Sequence, residues 1–255
     1  MLEQFLVQQV FCFLLIFCRI GSCIMVLPGF GETYVPPSMR MSLALVMCVL
    51  LTPLLSASMP HPPASALAFF LLIASEIVTG LFIGTVCSLI INATHVAGMI
   101  ISLQSGISSA VIFDVTQNTQ GSLIGNFLGL MTIVLLFCTD MHHLMLRGVT
   151  ESYSVFAPGH FPPIKDFMEV TARMVSSTFT IAVQISTPAL VSGTLLFLGG
   201  GIMSRLMPTM QVFFIIVPPQ LLLGFFILMT SFSAMMLWYL EFYRDSLTSF
   251  MGYLH

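Results

Sequence analysis

Long apolar runs dominate the chain, and short segments rich in proline, glycine and polar residues separate them. A helix that crosses a membrane needs about 20 mainly apolar residues, because the hydrocarbon core of a bilayer is about 30 Å thick. Several runs exceed one straight crossing, so we expect tilted, bent or broken helices, and the number of runs is an upper estimate of true crossings. The pattern predicts six helical segments, at about 5–27, 41–59, 66–92, 122–138, 174–198 and 212–240.

The composition also indicates a membrane protein. Only 7% of the 255 residues are charged and 57% are hydrophobic, whereas charged residues make up about 25% of a soluble domain. Seven basic and ten acidic side chains are too few to cover a soluble protein or to form a nucleic-acid site. The six cysteines show no spacing typical of zinc or disulfide frameworks. The sequence therefore predicts an all-α integral membrane protein with one membrane-embedded domain over 1–255 and no cofactor or metal.

Two charged residues interrupt the predicted spans: Arg19 lies in the first run and Glu76 in the third. A charge at the centre of a bilayer costs at least a few kcal/mol, so neither side chain is expected to face lipid. One interpretation is a proton or ion relay, and the other is a buried pair or a subunit contact. We favour the second, because no chain of acidic and histidine residues connects the two. A direct contact between Arg19 and Glu76 is our hypothesis.

Glycines recur at four-residue spacing in two of the runs. Gly80 and Gly84 form one stripe, and Gly121, Gly125 and Gly129 form another. Small residues at this spacing allow helix backbones to approach each other closely within a membrane. Packing within the chain and packing between subunits explain the two stripes equally well.

The break after the third run is unusual because it is both glycine-bounded and apolar, with Ile107, Val111, Ile112 and Phe113 inside it. Irregular backbone at membrane depth is tolerated only where protein or a water-filled cavity surrounds it. A flexible apolar loop suits a constriction that excludes water and ions. The alternative is a turn that packs its apolar residues on the helix bundle, and the residues alone favour this alternative slightly.

No enzymatic motif is complete in the sequence. The HExxH motif of metalloproteases, the aspartate motifs of intramembrane proteases and the P-loop of nucleotide-binding proteins are absent. His142 and His143 are adjacent, and we expect their side chains to point to different faces of a helix, which disfavours a shared metal. The chain is therefore not expected to be an enzyme, and another component must drive any transport through it.

Ordered blocks of residues over about 19–224 carry a family resemblance. They are Cys18-Arg19-Ile20-Gly21, Pro28 to Phe30, Val35-Pro36, Glu76 to Gly80, Gln104-Ser105-Gly106, Phe113-Asp114, Asp140 to His143, Ser152 to Gly159 and Arg205 to Pro208. Together these blocks resemble the FliR family, the export-gate protein of bacterial flagellar type III secretion, whose counterpart in virulence injectisomes is SctT.

The resemblance implies a cone-like, hetero-oligomeric export gate built from bent or broken helical hairpins. The chain would assemble with FliP-like and FliQ-like subunits and contact an FlhB-like protein, in the bacterial inner membrane at the flagellar basal body. Unfolded flagellar proteins would pass through the centre of this gate. The loop after Gln104 is similar to the family's plug, which helps to close the channel at rest.

The resemblance also implies roles for individual residues. The expected plug residues are Ile107, Val111, Ile112, Phe113 and Asp114, with Phe113 as the leading seal. Gln104 and Gly106 would position the loop. Arg19, Glu76 and Arg205 would be buried charges of the assembly, and the glycine stripes would pack helices.

The function predicted from the sequence is that of a non-enzymatic core subunit of the flagellar export gate. An SctT-type subunit of a virulence injectisome is the first alternative. A self-contained secondary transporter with a relay through Glu76 is the second, and it would be active as the purified chain in liposomes. Membrane lipid and unfolded export substrates are expected as further partners, and nucleic acid is not.

Overall fold

The structure of the chain, a computed structural model, describes residues 2–63, 65–108, 122–159, 162–207 and 212–253. Within these ranges it contains α-helices, one short 3-10 turn at Ser56–Ser58 and no β-strand. The all-α fold class is therefore confirmed. The helices are α1 (Leu2–Val26), α2 (Pro37–Leu55), α3 (Ala66–Gln104), α4 (Leu123–Cys138), α5 (Met141–Val155), α6 (Ile164–Leu206) and α7 (Val212–Tyr253).

Local sequence explains where several helices begin and end. Pro37 occupies the first position of α2, where its missing N–H removes no hydrogen bond of the helix. The side chain of Ser122 caps α4, because its Oγ accepts a hydrogen bond from the N–H of Gly125 at 3.0 Å. Gly106 follows the end of α3 with φ +74°, and Asp140 separates α4 from α5 with φ 58°. Both adopt the left-handed conformation that stops an α-helix.

Five of the described helices are long and apolar enough to cross a membrane: α1, α2, α3, α6 and α7. The number rises to six if α4 and α5, which only two residues separate, are counted together as one broken span. Three helices are much longer than the sequence pattern predicted, with 39 residues in α3, 43 in α6 and 42 in α7. At 1.5 Å per residue each is about 60 Å long, roughly twice the thickness of the hydrocarbon core.

Helix α5 lies inside the polar stretch that separates two of the predicted spans. Its buried residues follow the period of one helix face, because they lie three, four, seven and eight positions after the first. They are Met145, Gly148, Val149, Ser152 and Tyr153. The break between the fourth and fifth runs is therefore an amphipathic helix that contributes to the core.

The chain packs into two compact units. The first contains 1–90, 140–174 and 246–255, and the second contains 91–139 and 175–245. The first has Leu15, Ile16 and Ile20 of α1 in its core, all fully buried. The second buries Ile101 of α3, Leu128 of α4 and Ile185 of α6. The single domain expected over 1–255 stays a prediction.

Candidate functional site

A buried charge network joins three segments of the first unit. The Nε of Arg19 donates to Oε2 of Glu76 at 2.6 Å, and both side chains are almost completely enclosed, with 2% exposure each. The hypothesised contact between Arg19 and Glu76 is therefore present. Low exposure excludes water from the pair, so each charge depends on its protein partners for stabilisation.

The rest of the Arg19 guanidinium is held by the end of α5. Its Nη2 donates to the carbonyl oxygen of Phe156 at 2.9 Å, and its Nη1 donates to the carbonyl oxygen of Ser152 at 3.3 Å. The Phe156 carbonyl lies one residue beyond α5, where a helix leaves acceptors without intrahelical partners. The Ser152 carbonyl also accepts a hydrogen bond from the N–H of Phe156 at 2.9 Å, so Arg19 shares this acceptor. The Tyr153 ring lies under the guanidinium, with Cζ 4.2 Å from the ring centroid, which is the geometry of a cation–π contact.

These contacts give a structural reason for the presence of Glu76 in an apolar run, because it forms an ion pair with Arg19. A proton relay requires a carboxyl group that can lose its partner and connect to further titratable groups. Arg19 instead holds Glu76 from one side while its remaining donors bind backbone oxygens. The observed geometry supports the structural interpretation over the relay.

Helix α3 approaches α1 closely beside this network because two glycines lie at the crossing. A Cβ at Gly80 would overlap the carbonyl oxygen of Arg19, and a Cβ at Gly84 would lie 2.9 Å from the carbonyl oxygen of Cys23. The stripe formed by Gly80 and Gly84 therefore packs within the chain. The close approach brings Glu76, one turn before Gly80, within reach of Arg19.

An aromatic cluster lies in the same unit. Phe82 of α3 stacks on Phe167 of α6, with ring centroids 3.7 Å apart and the planes inclined by only 5°. Phe156 meets Phe167 edge to face at 5.1 Å, and Phe250 of α7 lies 6.0 Å from Phe82. Because Phe156 also supplies a carbonyl to Arg19, this cluster fixes the backbone that the charge network uses.

In the second unit, the end of α3 is held by α7. The Nε2 of Gln220 donates to the carbonyl oxygen of Gln104 at 2.8 Å, and Gln220 is only 6% exposed. Gln104 is the last residue of α3, so its carbonyl has no partner within the helix and the Gln220 amide supplies one. Ser105 and Gly106 continue the chain as a turn, with the N–H of Ser105 bonded to the carbonyl of Ile101 at 2.9 Å.

Two further glycines make room for this turn. A Cβ at Gly193 of α6 would overlap Oε1 of Gln104, and a Cβ at Gly224 of α7 would overlap Cβ of Ser105. The bare backbone at both positions therefore forms notches in which the two side chains lie. Gly106 lies against the Gln220 amide, whose atoms would be 3.1–3.3 Å from a Cβ at that position.

The predicted plug is only partly within the described residues. Residues 107 and 108 are helical, whereas the sequence predicted irregular backbone there. Ile107 is buried, with 7% exposure, and the Oγ atoms of Ser102 and Ser108 lie 2.9 Å apart, which ties these two residues to α3. The other four predicted plug residues and one glycine of the second stripe lie outside the described part of the chain. They are Val111, Ile112, Phe113, Asp114 and Gly121.

The remaining stripe residues pack α4 against α3. A Cβ at Gly98 would overlap Cα of Gly125, and a Cβ at Gly125 would lie 3.0 Å from the carbonyl oxygen of His95. The packing around Gly129 is looser, since a Cβ there would lie at an ordinary contact distance of 3.7 Å from the His95 ring. A hydrogen bond between Nε2 of His95 and Oδ1 of Asn126, 3.0 Å long, joins the same two helices.

Arg205 differs from the other two predicted buried charges. It lies in the last turn of α6 and is exposed in the single chain. A positive side chain is stabilised at the C-terminal end of a helix by the helix dipole. Local electrostatics therefore account for its position, and its burial in an assembly stays a prediction.

The two adjacent histidines lie together, which the sequence argument did not anticipate. The ring centroids of His142 and His143 are 4.1 Å apart, and Asp140 Oδ1 lies 3.8 Å from Nδ1 of His143. Ligand atoms of the three residues all fall within 4.8 Å of one another. Tetrahedral zinc ligands lie only about 3.4 Å apart, so these residues would have to close further to bind an ion. The absence of a metal stays a prediction.

The fold and the two buried polar sites define an all-helical integral membrane protein whose polar residues hold helices together. Residues 10–246 match the family described as bacterial export proteins, family 1. The match covers far more than half of the sequence, so the chain belongs to this family.

Individual relatives show how far the similarity extends. The chain is 30% identical over 242 residues to the flagellar biosynthetic protein FliR of Caulobacter vibrioides, which covers 95% of this chain and 96% of the relative. It is 30% identical over 226 residues to the FliR of Bacillus subtilis, covering 87% and 86% of the two chains. The Yop proteins translocation protein T of Yersinia pestis is 27% identical over 164 residues, covering 64% and 63%.

Sequence reasoning missed several residues of both sites. Tyr153 and the carbonyl of Phe156 complete the charge network, while Gln220, Gly193 and Gly224 hold the end of α3. One signal was available for Gln220, because a glutamine in an apolar helix needs a hydrogen-bond partner. No signal in the sequence could identify a backbone carbonyl as a ligand of Arg19.

Proposed function

We propose that this chain is a non-enzymatic core subunit of a flagellar type III protein export gate. In this role it helps to form, and at rest to close, the channel through which unfolded flagellar proteins leave the cell. The observation that carries the proposal is the family match over 10–246, together with FliR relatives aligned over nearly their whole length. The gate would lie in the bacterial inner membrane, at the flagellar basal body.

The surface of the single chain supports a role inside an assembly. Large apolar side chains are exposed along the two longest helices, including Leu198 of α6 at 66% and Met229 of α7 at 84%. Such surface needs lipid or protein as a neighbour. Helices about 60 Å long extend well beyond one hydrocarbon core, so lipid alone would leave part of the surface in water. FliP-like and FliQ-like subunits and an FlhB-like protein are the partners we propose for it.

We assign closure of the channel to the segment 107–113. A resting gate has to block ions and still admit an extended polypeptide, so its seal must be apolar and displaceable. The sequence 107–113 is mainly apolar and contains no charge. It also follows the end of α3, whose last carbonyl accepts a hydrogen bond from Gln220.

Deletion of 107–113 tests this role in cells that assemble the gate. We expect a rise in resting ion conductance, because the apolar segment that excludes ions is removed. A matched control replaces the same seven positions with glycine and serine, which keeps the loop length and removes only the apolar side chains. Both variants should leak, provided that the complex still purifies intact. Unchanged conductance in both would contradict the plug and leave the family membership standing.

Affinity purification in mild detergent with mass spectrometry tests the assembly itself. Recovery of FliP-like and FliQ-like chains is the expected result. A stable homodimer without other export proteins would contradict the proposal.

The similarity to a Yop translocation protein favours a second candidate, an SctT-type subunit of an injectisome. The two candidates differ in their cargo, so a chromosomal deletion distinguishes them. Loss of motility with intact effector secretion supports the flagellar gate. The reverse result supports the injectisome.

A further inference from the structure

Three side chains that can ligate a metal lie together where α5 begins. Asp140 directly precedes α5, and His142 and His143 are the second and third residues of that helix. Each offers one ligand atom, and these atoms all fall within 4.8 Å of one another. Asp140 and His143 are open to solvent, with side-chain exposures of 80% and 70%, and His142 is half-buried. An ion in solution can therefore reach the cluster.

The backbone of Asp140 brings its carboxylate beside the imidazoles. An aspartate just before a helix commonly has extended backbone and accepts a hydrogen bond from an N–H of the first turn. Asp140 instead has φ 58° and ψ 14°, and its side chain caps no N–H of α5. Its Oδ1 lies 3.8 Å from Nδ1 of His143. The carboxylate is therefore not engaged by the helix and remains available to an ion.

Two imidazoles and one carboxylate are a donor set that suits Zn²⁺. With three protein ligands, the fourth position of a tetrahedral zinc ion is left to water. Ligand atoms around such an ion lie about 3.4 Å apart, so the separation of 3.8 Å between Asp140 and His143 has to shorten by about 0.4 Å. Exposed side chains change rotamer within nanoseconds, so this closure needs no change in the backbone.

The charges around the cluster select the kind of ion. The N-terminal end of α5 carries a partial positive charge that opposes any cation, and the carboxylate of Asp140 offsets it. Arg147, the basic residue of α5, is paired with Glu151 at 2.6 Å. Mg²⁺ and Ca²⁺ prefer oxygen ligands and would gain only one carboxylate here. An ion that binds imidazole strongly is therefore favoured.

We propose that Asp140, His142 and His143 form a binding site for one Zn²⁺ ion, which links the residue before α5 to the first turn of that helix. Adjacent histidines point to different faces of an ideal helix, which is why the sequence predicted no shared metal. In the structure the two ring centroids are 4.1 Å apart and the ring planes are inclined by 37°. The ion joins these side chains at a helix start that has no side-chain cap.

Calorimetric titration of the purified complex with Zn²⁺ tests the site, with a purification tag that contains no histidine. His143→Gln and Asp140→Asn each remove one ligand, and asparagine tolerates the left-handed backbone of Asp140. Each variant should bind one Zn²⁺ fewer per chain, or bind it at least about tenfold more weakly, because even the loss of a residue that only orients a ligand costs about 10–100-fold. His61→Gln is the matched control, because His61 is an exposed histidine outside the cluster. Mg²⁺ should not compete for the site.

X-ray absorption at the zinc edge of the wild-type complex identifies the ligands without any variant. We expect only nitrogen and oxygen neighbours at about 2.0–2.2 Å, two of them imidazole. A sulfur neighbour at about 2.3 Å would point to a cysteine such as the exposed Cys138 and would overturn this ligand set.

The remaining outcomes also decide the proposal. Weaker binding in both cluster variants, with wild-type binding in His61→Gln, supports the site. A wild-type complex that binds no Zn²⁺, or unchanged binding in either cluster variant, overturns it. If a variant fails to assemble, the absorption spectrum of the wild-type complex decides. Failure of the zinc site leaves the proposed export role untouched, because that role rests on the family match.

Discussion

The two buried polar sites of this chain hold their helices in opposite ways. In the first unit, a charged guanidinium bonds to a carboxylate and to two backbone carbonyls and packs on an aromatic ring. In the second unit, one neutral amide bonds to one carbonyl, and glycine notches supply the remaining fit. Both sites are enclosed, and both join segments that are distant in sequence.

The difference lies in the cost of opening each site. Separating a buried ion pair leaves two uncompensated charges in surroundings of low dielectric constant, which is strongly unfavourable. Releasing the Gln220 amide exposes one neutral donor and one neutral acceptor, which either water or another partner can satisfy. We therefore expect the Arg19 network to cost much more to open than the contact at the end of α3.

The largest effect expected from this comparison follows the change Glu76→Gln. It leaves the charge of Arg19 buried without a counter-ion, and we expect a loss of about 3–5 kcal/mol in the free energy of unfolding. The double change Arg19→Met with Glu76→Leu removes both charges and should recover most of this loss. Recovery stays incomplete because the Phe156 carbonyl loses its donor.

Thermal unfolding of the detergent-purified complex, followed by circular dichroism, measures these variants. A double variant no more stable than Glu76→Gln would show that the charges are not coupled. The same measurement on Gln220→Met should show a far smaller change in unfolding temperature, because the variant loses one neutral hydrogen bond.

An intermediate effect is expected at the helix crossing beside the charge network. Gly80→Ala places a Cβ into the backbone of α1 and should destabilise the chain by about 1–3 kcal/mol, as overpacking does elsewhere. Gly129→Ala is the control in the second unit, since its Cβ would meet only an ordinary contact. It should be neutral or stabilising by up to about 1 kcal/mol, because alanine favours the helix. Equal unfolding temperatures for the two variants would argue against the close crossing.

The smallest effects are expected at Tyr153. Its hydroxyl is buried and has no hydrogen-bond partner among the described residues. Tyr153→Phe keeps the ring under Arg19 and removes this hydroxyl, so stability should be unchanged or slightly higher. Tyr153→Leu removes the aromatic face and should cost about 1–2 kcal/mol. The difference between the unfolding temperatures of the two variants measures the contribution of the aromatic ring to stability. A larger loss of stability for Tyr153→Phe than for Tyr153→Leu would show that the hydroxyl matters instead.

Hydropathy located the helices of this chain better than their ends. The run predicted at 66–92 continues to Gln104, because its polar side chains find partners and do not interrupt α3. Thr94 and His95 bond to side chains of α4, and Ser102 bonds to Ser108 just after the end of α3. The run predicted at 174–198 begins ten residues earlier, at Ile164, where charged side chains on α6 are exposed. Hydropathy measures the apolar length of a helix, and these helices are longer than their apolar parts.

The candidate sites were predictable where side chains alone define them. Arg19 and Glu76 stand out because a charge in an apolar run needs a partner. The carbonyl of Phe156 and the notch at Gly193 depend on how distant backbone segments meet, and no local pattern encodes that meeting. Asp140 illustrates the same limit, since its left-handed backbone brings its carboxylate beside two histidines that an ideal helix would separate.

The contacts of Arg19 also set an order of events during synthesis. Its carboxylate partner follows 57 residues later in the chain, and the Phe156 carbonyl follows 137 residues later. At the usual 5–20 residues per second, α1 waits roughly 3–11 s for the first and roughly 7–27 s for the second. Throughout this interval the first helix carries an unpaired positive charge that lipid accepts poorly. Until α3 and α5 have been synthesised, the side chain of Arg19 therefore needs contact with water or with another protein, such as the insertion machinery.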